Sequence, residues 1–295
     1  MDVMVQRSLA GRHYLMCPPR HFDVSYAINP WMDPARPSDA CAAVEQWSRL
    51  LDLLLDLGHV VDVVEPVAGL PDMVFTANAA TVVDDRVLVA AFRHPERAPE
   101  SAAYEAWFRA GAFRDVRQAA FVNEGQGDHL VVGGLILAGS GFRTHPDSHR
   151  ETGTYLGRPV VGLTLIDPRF YHLDTALAVL DEQQIMYFPQ AFSPRSRATL
   201  AELFPDAITA SEADAVVLGL NAVSDGRHVV LPAAATSLAA QLTDHGFEPI
   251  GVHLEELLKA GGGPKCCILE LHHATNADWS LGGCEPQADH LPSAG

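Results

Sequence analysis

A repeated β-hairpin constrains the fold of this chain more than any other feature. Each copy consists of two short apolar runs joined by a tight turn, most often of acidic residues or glycines. The four copies span residues 74–92, 130–138, 175–188 and 216–231. Their turns fall near residues 84, 133, 181 and 225, so that neighbouring turns are 49, 48 and 44 residues apart. Regular spacing on this scale indicates a protein built from structural repeats.

Each hairpin is followed by a helical segment and a further short apolar run. The four helix and strand pairs are 99–110 with 115–119, 146–156 with 160–166, 194–204 with 207–209, and 236–245 with 249–254. One more unit, the first in chain order, is obtained by joining the ends of the chain, which makes five units in all. Runs 14–17 and 266–271 then form a hairpin that precedes helix 39–57 and strand 59–64. Five such units can close a ring, which removes exposed sheet edges.

We therefore predict an α/β fold, a five-bladed α/β propeller with pseudo-fivefold ββαβ repeats, in a single domain of residues 14–271. A doubly wound sheet is the alternative. It fits less well because no G-x-G-x-x-G motif follows a predicted strand and the helices do not alternate singly with strands. Residues 272–295 are predicted to be a C-terminal tail without periodicity, and Cys284 in this tail is assigned no role.

Charge and cysteine content exclude several classes of function. The net charge of −17, from 37 acidic and 20 basic residues, opposes binding to nucleic acid or to an anionic membrane surface. Residues 1–12 lack the apolar run of a signal peptide, so we expect a cytoplasmic protein. Acidic enzymes of this size are often homo-oligomers, although the sequence does not fix the oligomeric state. The five cysteines form neither a disulfide framework nor a C-x-x-C metal pair. We expect reduced thiols and no metal.

Polar residues occupy matching points of the repeats, where a ring would bring them together near its axis. They are Asp72 and Asn78 in the second unit, Glu124 and Asp128 in the third, His172 and Asp174 in the fourth, and Cys266 in the closing strand. Each has a structural alternative when taken alone: His172 as a buried structural histidine, Glu124 as a solvated acid, and Cys266 as a small core residue. Their joint alignment favours a functional site.

Four motifs carry a family resemblance that covers nearly the whole chain. They are residues 71–78 (PDMVFTAN), 124–128 (EGQGD), 171–175 (YHLDT) and 261–266 (GGGPKC). Together they resemble the guanidino-group modifying enzymes, or penteins, which include arginine deiminases, dimethylarginine dimethylaminohydrolases, amidinotransferases and dihydrolases. The resemblance implies Cys266 as the nucleophile, His172 as the general acid and base, and Glu124 as the carboxylate that holds the guanidinium and orients the histidine. It implies no cofactor.

The implied chemistry requires these residue types. A guanidinium carbon is a poor electrophile because its charge is delocalised, so the site must supply a thiolate and fix the planar cation with carboxylates. Cys266 is preferred to Cys267 because neighbouring residues of a strand face opposite sides, and the glycine-rich motif places the nucleophile at the first cysteine.

Two positions indicate the substrate. Asp174 resembles the carboxylate with which arginine deiminases bind an unsubstituted guanidinium, which favours free arginine. Asn78 stands where deiminases carry an aspartate, and with the loop around Asn29 it resembles the arginine dihydrolases, which release ornithine, carbon dioxide and two ammonia. Asp72 is expected to bind the substrate too. Arginine's α-carboxylate needs a cation, and the candidates are Arg93 and Arg143, with Arg97 in reserve.

Other functions stay open at this point. A dimethylarginine dimethylaminohydrolase, an arginine deiminase or an amidinotransferase would use the same nucleophile. A regulatory arginine-binding protein belongs to a different class, and it would be marked by loss of the cysteine or the histidine. Both Cys266 and His172 are present. We therefore expect an enzyme that acts on a small guanidino compound, with L-arginine as the preferred substrate.

Overall fold

Five small sheets with one shared strand order form the β-structure of the computed structural model, which describes residues 11–273. The predicted tail lies outside the described residues except for its first two positions, and so does Cys284.

The first unit, a three-stranded sheet with its helix, contains both ends of the described chain. Its elements are β1 (His13–Met16), α1 (Ala40–Asp56), β2 (Val60–Val63) and β15 (Leu269–Glu270). The second contains β3 (Ala80–Val83), β4 (Arg86–Val89), α2 (Glu100–Ala110) and β5 (Asp115–Gln118). The third contains β6 (His129–Val132), β7 (Leu135–Ser140), α3 (Asp147–Leu156) and β8 (Val160–Thr164). Each set is therefore two strands in a hairpin, a helix and a third strand.

The remaining two units repeat the pattern, each with one strand of only two residues. The fourth contains β9 (Leu177–Val179), β10 (Ile185–Tyr187), α4 (Pro194–Leu203) and β11 (Ile208–Thr209). The short α5 (Glu212–Ala215) leads to the fifth, with β12 (Val223–Ser224), β13 (His228–Pro232), α6 (Thr236–Asp244) and β14 (Glu248–Val252). A last short helix, α7 (Glu255–Leu258), leads towards β15.

Strand pairing is the same in all five sheets. The middle strand pairs antiparallel with its hairpin partner and parallel with the strand that follows the helix, as β4 does with β3 and β5. In the first sheet, β1 is antiparallel to β15, with Tyr14 opposite Glu270, and parallel to β2. The predicted pairing of the two chain ends is thus confirmed. This topology fits a fivefold ββαβ repeat in an α/β fold.

The first strand of several units is shorter than the sequence predicts. Residues 74–79, expected in a strand, lie mostly in two 3-10 helices, Pro71–Val74 and Thr76–Ala79. Residues 216–222 precede the two-residue β12, and Cys266 lies in a turn at 264–267 instead of a strand. Most of the apolar side chains that suggested strands are buried, but their backbone groups bond locally, as Phe75 N–H does to the Asp72 carbonyl at 2.9 Å.

The helices pack their apolar faces against the sheets. In α1 the Asp39 side chain accepts from the Ala42 N–H at 3.0 Å and caps the helix, while Trp47, Leu50 and Leu54 are buried in the core beneath it. Burying a side chain of this size stabilises the fold by about 1.5–3 kcal/mol. No helix within residues 11–273 is long and apolar enough to cross a membrane.

Candidate active site

Cys266 is held between an amide and a carboxylate. Its thiol lies 3.0 Å from Nδ2 of Asn221 and 3.4 Å from Oδ2 of Asp174. Asn221 also anchors the loop, since its Oδ1 accepts from the N–H groups of Cys266 at 3.0 Å and Gly263 at 3.1 Å. The sulfur is thus positioned by three segments that are far apart in sequence.

The glycines before Cys266 are required by close packing. A Cβ on Gly262 would lie 2.1 Å from the Phe75 ring, and one on Gly263 would lie 2.9 Å from Oδ1 of Asn221. Any larger residue would push the cysteine loop away from its neighbours. The loop backbone is also tied to the second unit, because Ala77 N–H donates to the Cys266 carbonyl at 3.1 Å.

His172 and Glu124 form a buried pair that Arg143 completes. Nε2 of His172 lies 2.7 Å from Oε2 of Glu124, and the same oxygen accepts from Arg143 at 2.8 Å. The other carboxylate oxygen accepts from the Arg93 backbone N–H at 3.2 Å. Arg143 in turn lies over the Tyr171 ring, 4.7 Å from its centroid. Glu124 is therefore fixed at both oxygens and fixes the ring of His172.

The pKa values follow from this arrangement. Burial raises the pKa of Glu124, but Arg143 and His172 more than reverse this effect, and the net pKa lies below its ordinary value. Burial raises the pKa of Asp174 from 3.8 to about 7, with Lys265 and Cys266 acting in the opposite direction. Burial and Asp174 raise the pKa of Cys266 well above its ordinary value. Burial therefore favours the neutral form of both the Cys266 thiol and the Asp174 carboxyl group.

A second buried network surrounds Asp72 and Asn78. Arg97 donates to Oδ1 of Asn78 at 2.8 Å, to the Asp72 carbonyl at 3.2 Å and to both oxygens of Glu100 at 2.9 Å. Tyr26 donates to Oδ2 of Asp72 at 2.9 Å, and Asn78 Nδ2 donates to the Glu124 carbonyl at 3.3 Å. Burial raises the pKa of Asp72, and Arg97 partly offsets the rise.

Asp128 fixes the backbone next to His172. Its Oδ1 accepts from the Leu173 N–H at 3.0 Å, and its Oδ2 accepts from the Thr144 hydroxyl at 2.6 Å. Thr144 Oγ1 also accepts from the Glu124 N–H at 3.1 Å. These bonds connect the segment that carries Glu124 to the segment that carries His172. Burial raises the pKa of Asp128 to about 6.

The loop of residues 20–37 covers the site. Its Ile28 carbonyl accepts from Arg143 at 3.0 Å, and Asn29 Nδ2 donates to the Ala260 carbonyl at 3.0 Å. Trp31 Nε1 donates to the Arg169 carbonyl at 2.8 Å. Cys266 is 2% exposed and His172 is 1% exposed under this cover. The loop is thus fixed to three segments near the site, and both reacting side chains are buried.

The structure brings most of the predicted residues together. Five of the predicted side chains are buried and lie in two hydrogen-bonded groups. Asp174 contacts Cys266 in one group. The other group contains Glu124, His172 and Asn78 together with Asp72, and the Ala77 N–H beside Asn78 donates to the Cys266 carbonyl. Of the predicted cations, Arg143 is bound to Glu124, and Arg93 is exposed beside the site. The side-chain donors of Arg97 are used by protein groups, which argues against its reserve role. Asn29 holds the covering loop.

Asn221 is the residue that the sequence analysis missed. It lies two positions before β12, as Asn78 lies two positions before β3 and Asp128 one before β6. The matching position of the fifth unit could have identified it. The predicted strand over 216–223 hid this signal.

Three buried polar atoms of the site have no hydrogen-bond partner within the described residues. They are Oδ1 of Asp72, Oδ1 of Asp174 and Nδ1 of His172. Buried polar atoms are normally paired, so each is an open position for a ligand group. Within residues 11–273, no group of three or more His, Cys, Asp or Glu side chains is arranged to hold a metal ion.

Comparisons with known proteins identify the class of protein. No protein-family model matches the chain. It is 56% identical over 267 residues, 90% of its length, to the N(G),N(G)-dimethylarginine dimethylaminohydrolase of Mycobacterium tuberculosis, of which it covers 88%. It is 39% identical over 263 residues to the bifunctional arginine dihydrolase/ornithine cyclodeaminase ArgZ of Synechocystis. That match covers 87% of this chain and 37% of ArgZ.

A solved structure agrees with these relatives. The substrate-bound N-terminal domain of ArgZ, an arginine dihydrolase, superposes with a TM-score of 0.85 at 38% identity, over 89% of this chain and 98% of that domain. The relatives are hydrolases of C–N bonds in amidines. The chain belongs to this family of guanidino-group modifying hydrolases, which confirms the resemblance seen in its four motifs.

Proposed function

We propose that this protein is an arginine dihydrolase that converts L-arginine to ornithine, carbon dioxide and two ammonia through a covalent intermediate on Cys266. The observation that carries the proposal is the pair of unpartnered buried acceptors, Oδ1 of Asp174 beside the cysteine and Oδ1 of Asp72 in the neighbouring group of Asn78 and Glu124. An unsubstituted guanidinium offers N–H donors on both nitrogens and would pair with both. Its charge would also lower the pKa values that burial raises at Asp174 and Cys266.

The proposed first round forms a carbon–sulfur bond. The Cys266 thiolate attacks the guanidinium carbon, and His172 gives a proton to the departing ammonia, which leaves an amidino-thioether. Nδ1 of His172 suits this transfer, since it has no partner within the described residues while Nε2 is held by Glu124. The histidine then takes a proton from water, which attacks the same carbon. The carbon–sulfur bond breaks, its electron pair returns to sulfur, and a citrulline-like ureido group remains.

The second round requires that the neutral ureido group stay in the site. Asn78 has one Nδ2–H on the Glu124 carbonyl, which leaves its second amide hydrogen for a ureido oxygen. Its Oδ1 is fixed by Arg97, so the amide is held in one orientation. A carboxylate in place of Asn78 could not donate to that oxygen. This difference supports two rounds of hydrolysis in place of one.

The remaining assignments are also proposals. Arg93 binds the α-carboxylate of the substrate, since it is exposed beside the site and its backbone already contacts Glu124. Arg143 assists it, and Asn29 closes the loop over the bound amino acid. Residues 14–271 form one catalytic domain in which the five sheets surround a single axis as propeller blades. A cytoplasmic location and a homo-oligomer stay predictions.

A second candidate is dimethylarginine dimethylaminohydrolase. The 56% identity to the enzyme of that name from Mycobacterium tuberculosis favours it. In that case the site would accept a guanidinium with two methyl groups on one nitrogen, and one of the two unpartnered carboxylate oxygens would face methyl groups. An unpaired buried acceptor costs about 1–3 kcal/mol, which is why we prefer arginine.

Product stoichiometry tests the proposal. Wild-type protein is given arginine, citrulline or dimethylarginine, and ornithine, citrulline, ammonia and dimethylamine are quantified. We expect two ammonia per ornithine from arginine with little free citrulline, and accumulation of citrulline by Asn78→Asp. Cys266→Ser is the inactive control. Citrulline as the main wild-type product would indicate a deiminase, and dimethylamine release without turnover of arginine would indicate the second candidate.

A further inference from the structure

We infer that Asn221 is a catalytic residue of this site: its side-chain amide stabilises the Cys266 thiolate before attack and again when the carbon–sulfur bond breaks. The inference rests on the proposed function, because it takes Cys266 as the nucleophile. Asn221 is fully buried and comes from the fifth unit. None of the other residues assigned to the reaction comes from the fifth unit.

The hydrogen bonds of Asn221 fix which end of the amide faces sulfur. Its Oδ1 accepts from two backbone N–H groups, those of Gly263 and Cys266, at 3.1 and 3.0 Å. Its Nδ2 donates to Sγ of Cys266 at 3.0 Å and to the Asp174 carbonyl at 3.1 Å. If the amide were rotated so that its oxygen and nitrogen changed places, Nδ2–H groups would face the N–H donors of Gly263 and Cys266. The amide hydrogens therefore point at the sulfur and at an acceptor.

The side chain of Asn221 follows a strained turn of the backbone. Leu218, three residues earlier, has φ of 55°, a left-handed conformation that a residue with a branched side chain rarely adopts. Its carbonyl accepts from the Asn221 N–H at 2.9 Å, and Gly219 N–H donates to the Asp214 carbonyl at 2.9 Å. Backbone strain of this kind persists where the surrounding structure imposes it, often at functional sites. Here it sets the position of Asn221 beside the cysteine.

The amide donates where the reaction needs it. Asp174 lies 3.4 Å from the sulfur and opposes a second negative charge there. A donor at 3.0 Å favours the thiolate over the thiol without competing for the substrate's cation. The same N–H stabilises sulfur as the leaving group when water cleaves the intermediate. The hydrogen bond from Asn221 acts to lower the pKa of Cys266, against the effects of burial and Asp174.

Asn221→Asp isolates this role. The aspartate keeps an oxygen for the N–H groups of Gly263 and Cys266 and replaces the donor that faces sulfur with a second oxygen. The rate of alkylation of Cys266 by iodoacetamide is measured against pH, with the adduct mapped by peptide mass spectrometry. We expect the midpoint to move upward by about one to two pH units. We expect kcat/KM for arginine at neutral pH to fall by about 10- to 100-fold. An unchanged midpoint in the folded variant would overturn the inference.

Asn123→Asp is the matched control. Asn123 is also a buried asparagine whose Oδ1 accepts from a glycine N–H, that of Gly125 at 3.2 Å, but it makes no contact with the sulfur. Its replacement should leave the alkylation midpoint of Cys266 where it is in the wild type. A midpoint raised equally by Asn123→Asp would show a general effect of buried charge and overturn the specific role of Asn221.

A second variant protects the test against misfolding. If Asn221→Asp does not fold, Asn221→Ala removes the donor without adding charge, and the same upward movement of the midpoint is expected. The proposed function and the role of Asn221 can also be refuted separately. Turnover by Cys266→Ser would refute the proposed function. Loss of turnover in Cys266→Ser together with an unchanged midpoint in the Asn221 variants would refute only this inference.

Discussion

The carboxyl group of Asp174 should lower the stability of the protein at neutral pH, and replacing it should reveal the cost. Its side chain is fully buried, with Oδ1 unpartnered within the described residues and Oδ2 3.4 Å from the Cys266 sulfur. Burial raises the pKa of Asp174 from 3.8 to about 7. Between these two values the unfolded chain is ionised while the folded protein holds the proton. Stability should therefore fall as pH rises through this window.

The magnitude follows from the pKa difference. At about 1.36 kcal/mol for each pH unit, the interval between 3.8 and about 7 corresponds to about 4 kcal/mol at pH 7 and above. Asp174→Asn removes this cost but leaves a buried amide N–H without a partner, which lowers the free energy of unfolding by about 1–3 kcal/mol. The variant should thus be less stable than the wild type near pH 4 and more stable, by about 2 kcal/mol, near pH 7.5.

Urea unfolding at a series of pH values measures this difference. The free energy of unfolding is obtained for wild type and Asp174→Asn by linear extrapolation between about pH 4 and pH 8. Asp52→Asn is the control, because Asp52 is an exposed acid on α1, and its curve should run parallel to that of the wild type. A stability difference for Asp174→Asn that is independent of pH, or that falls with rising pH, would refute the reasoning. The variant should also lose turnover, since Asp174 is proposed to bind the guanidinium.

Three further predictions concern the reaction. His172→Ala should lower the rate by about 10²- to 10⁴-fold in steady-state assays through loss of acid and base catalysis, and wild-type turnover would disprove the mechanism. Glu124→Gln should raise KM and lower kcat together, because the residue holds both the cation and the histidine; an effect on KM alone would contradict its contact with His172 at 2.7 Å. The kcat/KM for arginine should rise with pH through about 7 as Asp174 ionises, and Asp174→Asn should abolish that rise in any residual activity.

The repeat was predictable because its signals are local. Two acidic residues between alternating apolar runs indicate a tight hairpin, and Asp84 and Asp85 do adopt positive φ values of 51° and 63°. The glycine at the second hairpin does the same, with φ of 53° at Gly133. Pairing of the chain ends followed from the need to protect a free sheet edge. Each of these features depends on a few neighbouring residues or on a general rule of sheets.

Contacts between the units were not predictable from these signals. The bond between Asn221 and the Cys266 sulfur joins residues 45 apart in sequence, and Arg143 reaches the Ile28 carbonyl across 115 positions. No local pattern encodes them. Arg97 was held in reserve for binding the substrate's carboxylate, whereas in the structure Glu100 and Asn78 use its donors. Distinguishing a binding arginine from a structural one required the packed side chains.

The preference for Cys266 over Cys267 rested in part on the wrong reason. Neither cysteine lies in a strand, so strand alternation does not separate them. Their surroundings do separate them. Cys266 contacts Asn221 and Asp174, whereas Cys267 is fully buried among apolar residues and its carbonyl accepts from the Thr76 hydroxyl at 2.7 Å.

Trapping the covalent intermediate tests the central claim most directly. The protein is mixed with arginine, quenched in acid within a turnover, digested and examined by mass spectrometry. The account predicts that the peptide containing Cys266 and Cys267 gains the mass of arginine less one ammonia, with fragmentation locating it on Cys266. The adduct should be absent in Cys266→Ser. Complete turnover with no adduct on Cys266 at any quench time, or turnover by Cys266→Ser, would contradict the account.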